Sequence, residues 1–156
     1  MSLDSPATHL MLNPYIYHVI LIAVSAYAFM AGRSDERVAA TICLVATIAT
    51  RLVLSPMTNR YSSVEAGVFV VDLAVLAGFT VIALRSDRFW PLWVAGLQLT
   101  TILAHLLKAV DYSLIPQIYA VAARFWVYPI FMIIVIGTWR SHQRTRNETD
   151  GTAYPS

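Results

Sequence analysis

The sequence predicts an all-α fold: an integral membrane bundle of five transmembrane helices, N-terminus outside and C-terminus cytoplasmic. Three observations lead there. Of the 156 residues, 58% are hydrophobic and 13% charged, where a soluble domain carries about 25% charged residues. The apolar residues fall in continuous runs, and mean hydropathy is +0.62, so a bilayer is the natural solvent. The basic residues gather on one side of those runs. Arg33, Arg37, Arg85, Arg88, Arg140, Arg144 and Arg146 lie on the side of the C-terminus, against Arg60 and Lys108 on the other. That bias places the arginine-rich side in the cytoplasm. Ten of the eleven basic residues are Arg, which with abundant Ala suits a GC-rich bacterial genome and hence an inner membrane.

The spans follow from the runs, at roughly 20 residues per crossing. The first covers residues 14–32 and opens on Pro14, whose missing N–H costs little in a first turn. A signal peptide is the competing reading, because Ala26-Tyr27-Ala28 resembles a cleavage site. The polar leader has no basic n-region, however, and cleavage would put the arginine-rich side outside. The second span, 38–56, follows the turn Arg33-Ser34-Asp35-Glu36-Arg37, where Ser and Asp accept from free amides at a helix start. The third covers 66–84, after a loop running from Ser55-Pro56 to Ser63. The fourth, 89–110, follows Arg85-Ser86-Asp87-Arg88 and has Pro91 in its first turn. The fifth, 116–139, opens on Pro116 and holds Pro129 deep inside, where proline should kink the helix.

Residues 1–140 read as one domain and 141–156 as a polar, disordered cytoplasmic tail. Trp90, Trp93 and Trp139 mark the inner boundary, and Tyr15, Tyr17, Tyr61, Tyr112 and Tyr119 the outer one, as an aromatic belt. The triplet Arg33-Ser34-Asp35 recurs as Arg85-Ser86-Asp87, 52 positions later. Either a hairpin is duplicated or two turns obey the same capping rule.

Charge inside hydrocarbon is costly and usually has a partner or a purpose. Arg51, Asp72, His105 and Arg124 all fall on the order of 7–12 Å below the outer boundary, at 1.5 Å rise per residue. His18 falls at a similar depth, beside Tyr15 and Tyr17, where packing at an interface is the simplest role. On the fourth helix Gln98, Thr101, His105 and Lys108 follow 3-4-3 spacing and share one face. That polar stripe should face the bundle interior or a water-filled cleft. Thr47 and Arg51 share a face of the second helix, and Gln117, Arg124 and Tyr128 one of the fifth. A structural explanation competes: Asp72 neutralises Arg51 or Arg124, and Arg51 and Lys108 reach the surface along their own stems. Two arginines facing one deep carboxylate leave positive charge over, which Asp111 and Glu65 at the rim, or a bound anion, would absorb. The candidate ligand-binding residues are thus Arg51, Asp72, Gln98, Thr101, His105, Lys108 and Arg124.

Several functions are excluded at this stage. A net charge of +2 without a basic, aromatic-interleaved patch gives no footprint for nucleic acid. Cys43 is the only cysteine, so no internal disulfide forms and the residue reads as a small apolar packer. No phosphate loop, His-Glu-x-x-His pair, Gly-x-Ser-x-Gly elbow or Cys-x-x-Cys motif occurs, and no nucleophile pairs with His105. No catalytic or metal residue is assigned. The leading expectation is a non-catalytic membrane protein, holding an anionic or amphipathic ligand in an outer-side pocket or serving as an accessory subunit. Membrane lipids, an anionic small molecule or other membrane subunits would be its partners. A proton-coupled transporter using Asp72 and His105 is the alternative, and five helices would then call for a homo-oligomer. A b-type haem between His18 and His105 is the remaining one.

Overall fold

The computed structural model describes residues 14–53, 63–110 and 126–152. They form five α-helices, and no strand occurs among the described residues. The helices are α1 (Pro14–Ala31), α2 (Ser34–Val53), α3 (Ser63–Arg85), α4 (Trp90–Val110) and α5 (Val127–Thr152). Two of them contain segments long and apolar enough to cross a membrane: Ala66–Arg85, at hydropathy 2.4, and Trp90–Leu107, at 1.3. Tyr15–Ala31 is a shorter apolar helix. The acidic first turn of α2, and the Arg140, Arg144 and Arg146 that follow the apolar part of α5, keep those two helices out of this group.

Two tight turns make the helices into hairpins. Gly32 N–H donates to the Ala28 carbonyl at 2.9 Å and ends α1. A side chain there would overlap that carbonyl and come within 2.8 Å of Glu36 Cβ, so only glycine lets α1 and α2 approach so closely. Arg33 takes the N-cap position of α2: its carbonyl accepts the Arg37 N–H at 3.1 Å. Its own N–H is received by the Glu36 carboxylate at 2.9 Å, the return half of a capping box. Asp35 and Glu36 in the first turn and Arg51 in the last also suit the helix dipole. The second turn begins where Ser86 N–H donates to the Ile82 carbonyl at 2.9 Å. Buried Pro91 then sits in the first turn of α4.

The five helices close a ring. Each packs on its chain neighbour except that α5 returns to α1 as well as to α4, and α2 also touches α5. Gly67 of α3 stands against Val53 of α2, and Gly78 against Ile42. Both pairs of positions are eleven residues apart, in opposite senses, so α2 and α3 run antiparallel in constant register. The core is Leu21, Val24, Ala28, Ala39, Ala40, Val75, Phe79, Val94, Phe131 and Ile134 with neighbours, and half-buried Cys43 packs against it as a small apolar group.

Two boundaries differ from those the sequence suggests. Pro129 is the third residue of α5, not a kink deep in a span; in a first turn its ring breaks no hydrogen bond. Residues 111–125, and with them the start of the fifth span and Arg124, lie outside the described residues. Ser141 onward is helical as far as Thr152, because an apolar helix is already nucleated there and Gln and Arg extend it readily.

Candidate functional site

The apolar helices α3 and α4 hold a carboxylate between them. Asp72 Oδ2 lies 2.9 Å from His105 Nε2, with side chains 22% and 15% exposed respectively. Gln98 Nε2 donates to Asp72 Oδ1 at 3.3 Å and to the Asp72 carbonyl at 3.4 Å, both long contacts. Since a carboxylate can only accept, His105 carries its proton on Nε2 here. Gln98 and Thr101 are buried, and the edge of the Phe69 ring meets the imidazole at 6.0 Å between centroids. The face of α4 that carries Gln98, Thr101 and His105 is thus the one turned to α3. Thr101 sits midway along that face.

A second set joins α1 to α2. Arg51 donates from Nη2 to His18 Nε2 at 2.9 Å. Arginine has no acceptor, so His18 offers a lone pair there. One turn inward, Tyr17 Oη and Thr47 Oγ1 are 2.7 Å apart, and Thr47 Oγ1 gives its hydrogen to the Cys43 carbonyl at 2.8 Å. Tyr17 is therefore the donor to Thr47. Tyr17 also stands edge-on to His18 at 5.2 Å and against Phe131 at 5.8 Å.

The two sets share a level without sharing a partner. In the α2–α3 register, Asp72 is level with Ile48, three residues short of Arg51, or about 4.5 Å of rise. His18 and Arg51 are 33 residues apart, as are Asp72 and His105, so each pair spans its own hairpin at a similar height. Asp72 meets His105 and Gln98 rather than Arg51. The reason is rotational. Arg51 lies two residues from Val53, about 200° round the helix from the side that meets α3. It is exposed and makes no ion pair among the described residues. Lys108 lies in α4, but its side chain and Arg124 are outside the described residues.

A third polar set was not singled out by the sequence. At the turn end Glu36, fully buried, accepts from Arg88 Nη1 at 2.6 Å in addition to Arg33 N–H. Beside it Ser86 Oγ donates to Asp35 Oδ2 at 2.6 Å. The two Arg-Ser-Asp turns are therefore bonded to each other. The repetition of that triplet was the available signal, which a duplicated hairpin and a shared capping rule explain equally.

Chemically, the Asp72–His105 pair offers a carboxylate and an imidazole in hydrogen-bond contact, and Arg51 presents an exposed guanidinium. No group of three or more His, Cys, Asp and Glu able to hold a metal occurs among the described residues. The haem arrangement gains no support, since His18 Nε2 is engaged by Arg51 and His105 Nε2 by Asp72. Comparison with family models, curated proteins and solved structures gives no match.

Proposed function

We propose that the chain is a small multi-pass protein of a bacterial inner membrane which, without catalysis, binds the anionic end of an amphipathic molecule at its outer side, alone or as an accessory subunit. The observation that carries this reading is Arg51. Asp72 is engaged by His105, so the Arg51 guanidinium is oriented by the His18 imidazole and meets no carboxylate among the described residues. An exposed planar fork of donors, held at one edge, suits a phosphate or carboxylate. The membrane half of the reading draws on the two long apolar segments. It also draws on an apolar exterior, with Val19, Ile22, Met30, Ile48, Leu84 and Leu103 each more than half exposed. Apolar surface on that scale is unusual for a soluble monomer. The turn end, with Arg33, Arg37, Arg85 and Arg88, then faces the cytoplasm.

The test is native mass spectrometry of the protein released from nanodiscs containing phosphatidylglycerol or phosphatidylcholine. The anionic lipid is retained by the wild type and by Arg144→Ala, and lost from Arg51→Ala. Equal retention in both variants removes the reading. A proton-coupled carrier is the second reading, favoured by the Asp72–His105 pair lying between the two most apolar helices. It requires pH-dependent uptake in proteoliposomes that disappears in Asp72→Asn.

A further inference from the structure

We infer that the turn end of the bundle is a releasable lock, with Glu36 at its hub, that closes the interior between the two hairpins and α5. The inference is independent of the ligand proposed above, which sits at the opposite end of the helices. Glu36 has no exposed side-chain surface, and its two oxygens bind different pieces of the chain. One receives the Arg33 N–H of its own turn and the other the Arg88 guanidinium of the second turn. The Ser86–Asp35 bond lies alongside. Below this bridge the packing is at its tightest: Ala28, Ala39 and Thr138 have no exposed surface, and Ala40 and Ser141 1% each. A Cβ on Gly137 of α5 would lie 3.2–3.3 Å from the ring of Trp90, two residues after Arg88, so α5 is seated against the same corner.

Two arguments make this a lock and not a permanent rivet. A buried ion pair is a poor adhesive, because desolvation offsets most of its attraction and an apolar replacement is often more stable. Ion pairs serve better where an arrangement must be specified and then released. The closed state is moreover not fully satisfied. Trp90 Nε1 and Ser141 Oγ are buried without a hydrogen-bond partner among the described residues, a penalty that contact with water would relieve. Opening therefore costs an ion pair but repays two stranded polar groups.

The experiment places a cysteine at Ser141 in a Cys43→Ser background and follows its reaction with a water-soluble maleimide in nanodiscs. With the lock intact the thiol reacts slowly. Glu36→Gln and Arg88→Gln raise the rate about tenfold, and Arg88→Lys, which keeps the charge, stays near the slow rate. A parallel Thr101→Cys reporter, far from the turns, remains protected in every variant and so separates local opening from unfolding. Should Glu36→Gln or Arg88→Gln expose Thr101→Cys too, Ser86→Ala is read in its place, and a smaller rise at Ser141→Cys is expected. Fast labelling with the lock intact, or no rise in the lock variants, overturns the inference.

Discussion

The Asp72 carboxylate lies between two apolar helices, with the His105 imidazole at 2.9 Å from one oxygen and Gln98 at 3.3 Å from the other. The 3-4 spacing of Gln98, Thr101 and His105 was legible, since a polar stripe on an apolar helix can only turn inward. The partner was not. The sequence offers Arg51 or Arg124 to this carboxylate, and whether Arg51 reaches it depends on how α2 is rotated against α3. That rotation is set by Gly67 and Gly78, whose bare backbones admit Val53 and Ile42 and so turn Arg51 away. The pairing makes a quantitative expectation. Removing the imidazole in His105→Ala leaves the Asp72 carboxylate between apolar helices with one long Gln98 contact, at 3.3 Å, among the described residues. The loss should be about 1–3 kcal/mol, toward the lower end because the pair is partly exposed. Asp72→Asn keeps an acceptor for His105 and should cost less. Arg51→Ala, at an exposed position, should stay within about 0.5 kcal/mol. Reversible unfolding in mixed detergent measures all three; an Arg51→Ala variant weaker than His105→Ala would contradict the assignment of partners.

At the scale of elements, the presence and order of the helices were legible because apolar runs bounded by capping residues admit little else. Their ends were less so. Pro129 was assigned to a helix interior because the run around it is unbroken, although α5 starts only two residues before it. The polar residues after Trp139 signalled disorder by composition, yet they continue a helix that the core has already nucleated. Glycine positions test the packing of elements directly. Gly96 has open space around its Cβ position, so Gly96→Ala gains helix propensity with nothing to strain, about 0.5–1 kcal/mol. Gly32→Ala meets the Ala28 carbonyl, which is backbone and cannot move aside. It should lower the thermal midpoint while Gly96→Ala raises it. The same shift for both would mean that the α1–α2 turn is looser than described.

At the scale of the whole molecule, the proposed membrane reading turns on how many of the five described helices would cross the bilayer. The apolar segments of α3 and α4 meet the length and hydropathy required, α1 is somewhat short, and α2 and α5 are the ones in doubt. The charges of α2 are confined to its ends, Asp35, Glu36 and Arg37 in the first turns and Arg51 in the last. Between them Val38 to Thr50 carry none, a stretch of about 20 Å, against the ~30 Å of a hydrocarbon core. Arg51 can make up part of the difference by reaching outward, and Glu36 is neutralised by Arg88. Because the ring packs α2 between α1 and α3, leaving it out of the membrane would dismantle the fold. Five crossings place the termini on opposite sides. A fluorescent protein fused to the C-terminus should therefore be bright, and alkaline phosphatase fused after Thr58 active. Both follow from the proposed topology, in which the arginine-rich turn end faces inward and the opposite end of the bundle outward. Bright fluorescence with an inactive phosphatase would mean that α3, α4 and α5 do not all cross, and the outer position of Arg51 would fall with them.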